Sequence, residues 1–195
     1  MLTDIVVIIA VVILLGFYVS WRAGRLDRLH TRLETARAAL DLALVRRSSV
    51  ALELASSGLL DPATSLLLAG AAHEARGIGH QGEGYFEGGE RARELAESDL
   101  TRALRAAFAQ PGFRASLDGK DGADELIAEL EAAARQVYLA RRFYNDAVAV
   151  TRQARQRPLV RLLRLAGNAG LPEFFEIDDS PLVEEPPATP AFRAE

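Results

Sequence analysis

The chain has 195 residues, of which 49% are hydrophobic, and its net charge at neutral pH is -4. This length suits one folded domain with additional segments, and the acidic balance argues against nucleic acid as the main partner. The chain has no cysteine, which excludes disulfides and thiolate metal sites and agrees with a reducing compartment.

The first 21 residues are predicted to form a membrane anchor. Residues 5–17 are all Ile, Val, Leu, Ala, Gly or Phe, and three polar residues interrupt the apolar stretch up to Trp21. A bilayer core of about 30 Å needs roughly 17 to 25 mostly apolar helical residues, so this stretch just suffices. Arginines follow it and none precedes it, which predicts a single-pass protein of the plasma membrane with its amino terminus outside and the bulk of the chain cytoplasmic. A cleaved signal peptide fits less well, because a basic start is missing.

A long amphipathic helix is predicted to continue from the anchor without a break. Its apolar residues recur at alternating steps of three and four, as in a coiled coil or helical bundle. The apolar seam positions are Leu26, Leu29, Leu33, Ala36, Leu40, Ala43, Val50 and Leu54. Arg47 occupies the one seam position that is not apolar. Gly58 is expected to end this helix, with Asp61 as the N-cap of the next helix and Pro62 as its first residue.

Three further helices are predicted at residues 62–76, 90–109 and 123–156, because each range has one apolar side. Six glycines between residues 77 and 89 are expected to interrupt or fray the chain there. Helices of this kind bury their apolar sides against one another. The predicted fold class is therefore all-α, with an N-terminal single-pass transmembrane helix followed by an elongated antiparallel four-helix bundle.

The predicted organisation has four parts. They are a transmembrane anchor at 1–21, a cytoplasmic helical bundle at 22–157, a short amphipathic helix with a closing motif at 158–177, and a disordered, acidic, proline-rich tail at 178–195. The short helix mixes arginines with leucines, so it either packs on the bundle or lies on the membrane surface. The sequence leaves that choice open.

Several short motifs resemble those of the LemA family and occur in the same order. Residues 140–148 are similar to the family's signature helix, residues 70–74 to its G-Y-A-x-H-E element, and residues 174–176 to its closing motif. Leu52 and Glu53 stand where the family has Pro-Asn, so the chain is identified as a divergent member. The chain has a single lysine, and this low lysine content indicates that it comes from a GC-rich bacterium. The resemblance implies a single-pass membrane protein with an elongated helical bundle and no established enzymatic activity.

No catalytic constellation stands out in the sequence. Residues 77–82 match the G-x-G-x-x-G pattern of dinucleotide-binding turns, but that pattern needs a preceding strand, and a helix is predicted there instead. His73 and Glu74 are adjacent on a helix, so their side chains point about 100° apart and do not easily share a metal ion. We therefore predict no enzymatic activity, no cofactor and no metal site.

Polar residues of the predicted helices are the candidate interaction or structural residues. They are Asp41, Arg46, Arg47, His73, Glu74, Arg141, Arg142, Tyr144 and Asn145. Two interpretations stay open for the charged ones: they pair and fix the helix register, or they form a recognition patch for an acidic partner. Tyr144 is expected in the core with its hydroxyl hydrogen-bonded.

These observations predict a non-enzymatic, membrane-anchored helical scaffold or an accessory subunit of a membrane protein complex, such as a respiratory or envelope assembly. The expected partners are integral membrane proteins, membrane lipid around the N-terminal helix, and a second copy of the chain, but not nucleic acid. The alternative is a membrane-surface sensor of lipid or envelope stress, which the basic segment after Pro158 motivates.

Overall fold

The structure is a computed structural model that describes residues 2–80, 89–158, 160 and 170–182. The side chains at positions 2, 11, 12, 15, 19, 22, 23 and 78–80 lie outside the described part. The helices of the described part are α1 (Leu2–Ser56), α2 (Pro62–His80), α3 (Gly89–Phe108), α4 (Phe113–Leu117) and α5 (Ala123–Arg155). No strand occurs in these ranges. The predicted all-α class is therefore confirmed.

Helix α1 is a single helix of 55 residues, as its uninterrupted pattern predicts. Its N-terminal part carries exposed apolar side chains, among them Phe17 and Trp21. Within the residues that the structure describes, none of the helices combines the length and the apolar character that crossing a membrane requires. The transmembrane anchor predicted for residues 1–21 is thus not found there.

The turn between α1 and α2 follows the predicted chemistry. Gly58 has a φ of 75°, a left-handed conformation that glycine adopts without steric cost. The Oδ1 atom of Asp61 accepts hydrogen bonds from the backbone N–H groups of Ala63 at 3.0 Å and Thr64 at 3.1 Å. Asp61 is therefore the N-cap of α2, as predicted. Helix α2 runs to His80, four residues beyond its predicted end.

Helix α4 is an element that the sequence pattern did not predict. Gly112, with a φ of 80°, precedes it. Phe113 and Leu117 are its buried residues and lie one turn apart, and the Phe113 ring packs on Phe108 with ring centroids 4.9 Å apart. Two buried residues in five suffice to dock a single turn, but a helix of five residues is too short to show a helical period.

The chain divides into two compact units. The N-terminal unit comprises Met1–Ala39 and Arg141–Phe174, and the central unit comprises Leu40–Ala140 and Phe175–Glu195. Helices α1 and α5 therefore contribute to both units.

The central unit contains a hydrophobic core to which all five helices contribute. Its most deeply buried large residues are Leu54, Leu68, Leu100, Leu104 and Leu130. Helices α2 and α3 pack against each other along this core. The packing is that of a helical-bundle-like all-α protein, whereas the elongated antiparallel four-helix bundle stays a prediction.

The N-terminal unit buries one side of α5 and a smaller part of α1. Its buried residues include Leu26 on α1 and Tyr144, Val148 and Thr151 on α5. Leu26 is one of the predicted seam residues. Three predicted features lie largely outside the described residues: the glycine-rich segment over 81–88, the amphipathic helix over 161–169 and the tail from 183 onward.

Candidate functional site

Arg47, the seam position that breaks the apolar run of α1, lies in the core of the central unit. Its side chain is 2% exposed, and its Nη2 atom lies 2.7 Å from Oε2 of Glu97. Arg47 also donates from Nη1 to the Thr101 hydroxyl oxygen at 2.9 Å and from Nη2 to the Glu97 carbonyl oxygen at 3.1 Å. One turn of α3 therefore supplies three acceptors to one guanidinium group.

This buried ion pair is closed to solvent on both sides. The Glu97 side chain is 3% exposed, and the Thr101 hydroxyl donates to the Glu97 carbonyl oxygen at 3.2 Å. The Nε atom of Arg47 is buried without a hydrogen-bond partner in the described structure. A pair enclosed in this way is poorly placed to bind a ligand, but it fixes the register of α1 against α3, because any shift would leave a buried charge uncompensated.

Two more accessible ion pairs extend from the same part of α1. Arg46 Nη2 lies 3.2 Å from Oε1 of Glu129 on α5, and Asp41 Oδ1 lies 2.8 Å from Nη1 of Arg93 on α3. Asp41 and Arg46 therefore pair with residues of other helices and not with each other. These contacts link α1 to α3 and α5 within the central unit.

A segment without regular secondary structure, residues 175–182, lies along α3, and we call it the C-terminal strap. Its two apolar residues Phe175 and Leu182 are buried, and the Arg93 guanidinium lies 5.8 Å from the centre of the Phe175 ring. This is the distance range of cation–π contacts. The strap begins in the predicted closing motif and includes the first five residues of the predicted tail.

The backbone of the strap is hydrogen-bonded to side chains of α3. The Glu176 N–H donates to Oε1 of Glu94 at 2.7 Å, and the Asp178 N–H donates to the Ser98 hydroxyl oxygen at 3.1 Å. Two residues of extended chain span about 6.6 Å and four helical residues about 6 Å. The strap and α3 therefore run in the same direction and in step with each other.

The strap also contains a local turn around Asp178. The Ser180 N–H donates to Oδ1 of Asp178 at 3.0 Å. Hydrogen bonds from the side chain and backbone of Ser180 lower the pKa of Asp178 below its ordinary value, and the positive charges of Arg105 and Arg102 lower it further. The ionised form of Asp178 is therefore the form that stabilises the strap.

A second segment without regular secondary structure, residues 170–174, lies against α5 in the N-terminal unit. The Tyr144 hydroxyl donates to the Glu173 carbonyl oxygen at 3.0 Å, and Tyr144 is buried, in agreement with its expected core position. Arg152 donates to the Pro172 carbonyl oxygen at 3.1 Å, and Arg155 to that of Gly170 at 2.6 Å. Three side chains of α5 thus hold the backbone of this segment.

The remaining candidates on α5 lie beside Tyr144. Arg141 and Asn145 are half-buried and Arg142 is exposed, and all three make contacts in the structure. Oδ2 of the adjacent Asp146 lies 3.8 Å from Nη2 of Arg32 on α1, and both side chains are largely exposed.

Helix α2 has an apolar side that the described part of the central unit does not cover. Its exposed residues at helical spacing, which we call the outer face of α2, are Ala63, Leu66, Leu67, Gly70, His73 and Glu74. Leu66 and Leu67 are 75% and 72% exposed. The opposite side of the helix, including Leu68 and Ala72, is buried in the core. Both long sides of α2 are therefore largely apolar.

The polar groups described above join helices and segments and do not form a reactive centre. Within ranges 2–80, 89–158 and 170–182, no group of three or more His, Asp or Glu residues is arranged to hold a metal ion. His73 and Glu74, both exposed on α2, belong to no such group.

Sequence reasoning did not single out Glu97, Thr101 or Arg93. A usable signal existed for Glu97, which precedes the core residues Leu100 and Leu104 by three and seven positions and therefore lies on the buried side of α3. A lone acidic residue on one apolar seam and a lone arginine on another would have suggested the pair.

These features define a class: an all-helical protein whose polar side chains tie helices and irregular segments together. Within the described residues, apolar side chains are exposed on α2 and on the N-terminal part of α1. No protein-family model, curated protein or solved structure matches the chain. Membership of the LemA family is therefore a proposal that rests on the sequence motifs.

Proposed function

We propose that the chain is a non-enzymatic, membrane-attached helical scaffold or accessory subunit that binds an integral membrane protein through the outer face of α2. The observation that carries this proposal is the exposure of Leu66 and Leu67, which project from a helix whose other side is already packed in the core. Contiguous exposed apolar residues mark interaction surfaces more often than isolated ones do.

Gly70 adds a second argument for a partner on this face. It lies in the middle of α2, and a Cβ atom at this position would have no neighbour within 4 Å. Glycine in a helix interior costs about 0.5–1 kcal/mol relative to alanine, and no contact within the described residues requires it here. A partner helix that approaches closely would require it, because small residues allow helix backbones to approach each other.

Membrane attachment is supported by the N-terminal part of α1. The five consecutive residues 5–9 are all apolar and all more than half exposed. Successive helical residues are about 100° apart, so these five side chains surround the helix. Such a surface is covered by lipid or by another protein, and Trp21 and Arg25 follow it in the order typical of a membrane interface.

The finer sequence predictions form part of the same proposal. They are a single-pass topology with the amino terminus outside, an elongated antiparallel four-helix bundle in the cytoplasm, membership of the LemA family, and a place in a respiratory or envelope assembly.

The topology can be tested directly because the chain has no cysteine. Thr3→Cys and Ser57→Cys variants would be expressed in cells and treated with a membrane-impermeant maleimide. We expect the variant at Thr3 to be labelled in intact cells and the variant at Ser57 only after permeabilisation. The reverse pattern would contradict the orientation, and recovery of the protein from the soluble fraction would contradict membrane attachment.

The partner is tested by affinity purification of the full-length protein in mild detergent, followed by quantitative mass spectrometry. We expect a membrane protein in near-equal amount with the unmodified chain, and its loss with Leu66→Ser/Leu67→Ser. The matched control is Leu95→Ser, which changes a 60% exposed leucine of α3 and is expected to retain the partner. Retention by the double variant would exclude this face, and recovery of the chain alone would exclude the scaffold function.

A further inference from the structure

A small cavity in the N-terminal unit combines an apolar lining with basic side chains. It has a volume of about 40 Å³, and its lining includes Leu26, Ala154 and Val160 together with Arg25, Gln153 and Arg157. Leu26 and Val160 are buried, whereas the two arginines and Gln153 are exposed. The cavity therefore has apolar residues inside and hydrogen-bond donors at its opening.

Neither arginine of this cavity takes part in an ion pair within the described part of the chain. Arg25 comes from α1 and Arg157 from the residues that follow α5, so two separate elements bring positive charge to one opening. A guanidinium group presents a planar set of N–H donors that matches the oxygens of a phosphate. Two such groups beside an apolar surface suit a ligand with one anionic end and one apolar end.

The position of the cavity along α1 indicates where such a ligand would come from. Arg25 lies eight residues beyond Phe17, the last residue of the apolar run, which corresponds to about 12 Å along a helix. Helical side chains lean towards the amino terminus, so Arg25 extends back towards that run. If the chain is attached to a membrane as proposed above, this is the depth of the lipid headgroups.

We propose that this cavity binds the phosphate group of an anionic phospholipid. Arg25 and Arg157 donate to the phosphate oxygens, and Gln153 contributes an amide donor. Leu26, Ala154 and Val160 contact the carbon atoms next to the headgroup. The ligand is thus a single lipid held at a defined position, in addition to the lipid that surrounds the apolar part of α1.

The test measures binding of soluble short-chain lipids to the full-length protein in non-ionic detergent. The probes are dihexanoyl-phosphatidylglycerol, dihexanoyl-phosphatidylcholine and inorganic phosphate, each titrated by calorimetry. Trp21 is the only tryptophan and lies one turn before Arg25, so its fluorescence provides a second readout. We expect saturable binding of the phosphatidylglycerol, with the zwitterionic lipid and inorganic phosphate at least about tenfold weaker.

Three variants identify the site. Arg25→Gln/Arg157→Gln is expected to weaken phosphatidylglycerol binding at least about tenfold. Arg91→Gln/Arg135→Gln removes the same charge from exposed positions of the central unit and is expected to change binding less than about twofold. Ala154→Phe fills the cavity while both arginines remain and is expected to abolish binding. Unchanged far-ultraviolet circular dichroism verifies that each variant is folded.

Several results would overturn the proposal. Equal losses in the two double variants would show diffuse attraction and no site. Inorganic phosphate that binds as tightly as the lipid, with the same dependence on the variants, would identify a free-phosphate site. Absence of saturable binding would exclude both. Because these titrations need neither a bilayer nor a partner protein, their failure leaves the labelling and purification experiments on the proposed function unaffected.

Discussion

Removal of Arg47 is expected to destabilise the central unit far more than removal of its neighbour Arg46. Arg47→Met keeps much of the side-chain volume but leaves the Glu97 carboxylate, 3% exposed, without its cation. Breaking a buried ion pair in this way costs about 3–5 kcal/mol. That is a large part of the roughly 5–15 kcal/mol by which native proteins are stable.

The matched control removes an arginine one residue away. Arg46 pairs with Glu129 on the surface, and the two side chains are 56% and 45% exposed. Exposed ion pairs contribute about 0–1 kcal/mol, so Arg46→Met is expected to lower the free energy of unfolding by no more than that.

A double variant separates the cost of the orphaned charge from the value of the pair. Arg47→Met/Glu97→Met removes both charges and fills the space with apolar atoms, which is often neutral or stabilising for a buried pair. We expect it to recover most of the stability that Arg47→Met loses. The double-mutant cycle then gives the coupling energy between the two positions.

The assay is guanidinium-induced unfolding of the full-length protein in mild detergent, followed by circular dichroism. The dependence on denaturant should be similar in all variants, so that the midpoints report stability. A loss below about 1 kcal/mol for Arg47→Met, equal to that for Arg46→Met, would refute the conclusion that this pair fixes the register. So would a double variant less stable than Arg47→Met alone.

Four further predictions concern the N-cap of α2, the C-terminal strap and two glycines. Hydrogen bonds from the side chain and backbone of Thr64 lower the pKa of Asp61 below 3.8. The contribution of Asp61 to stability is therefore present above pH 3.8 and is lost as the pH falls through the lowered pKa. In thermal melts at different pH values, Asp61→Ala should show a smaller loss of stability on the acid side. Phe175→Ala should release the strap and accelerate hydrogen exchange of the Glu176 amide at least about tenfold. Unchanged protection of this amide would show that the side-chain hydrogen bonds hold the strap without the Phe175 ring. Gly70→Ala should stabilise the free chain by about 0.5–1 kcal/mol in denaturant unfolding and should reduce the amount of partner recovered in the affinity purification. Gly112→Ala should destabilise the chain by about 1 kcal/mol, because Gly112 has a positive φ.

The helices were largely predictable because their signals are local. Alternating steps of three and four marked α1 and α5, and the Gly58, Asp61 and Pro62 sequence located the turn between α1 and α2 to within a residue or two. Helix α4 was not predicted, because five residues are too few to show the helical period of apolar residues. The end of α2 was placed too early, because packing against α3 outweighs the low helix propensity of Gly77.

The candidate site was predictable only in part, because a single sequence does not show which helix faces which. Arg47 stood out as the one charged seam residue, and its burial follows from that position. Its partner lies 50 residues away. The spacing of Glu97 from Leu100 and Leu104 indicates that Glu97 lies on the buried side of α3, but it does not show that this side faces α1. The same holds for Asp41, whose partner Arg93 lies on another helix.

The outer face of α2 shows a second limit of prediction from a single sequence. In the sequence, α2 is rich in leucine and alanine and therefore offers apolar residues on every side. Only packing reveals which of them the chain leaves uncovered. An exposed face and a buried face of such a helix carry the same types of residue.

The contacts of the C-terminal strap determine which substitutions it tolerates. Because Glu94 and Ser98 bind backbone N–H groups, the side chains at positions 176 and 178 can vary without loss of these two bonds, but proline is excluded from both positions. Pro181 is compatible, since the strap makes no described bond that needs an N–H there. An insertion or deletion between Phe175 and Leu182 would be far more damaging than any exchange, since it would shift one buried anchor relative to the other by about 3.3 Å.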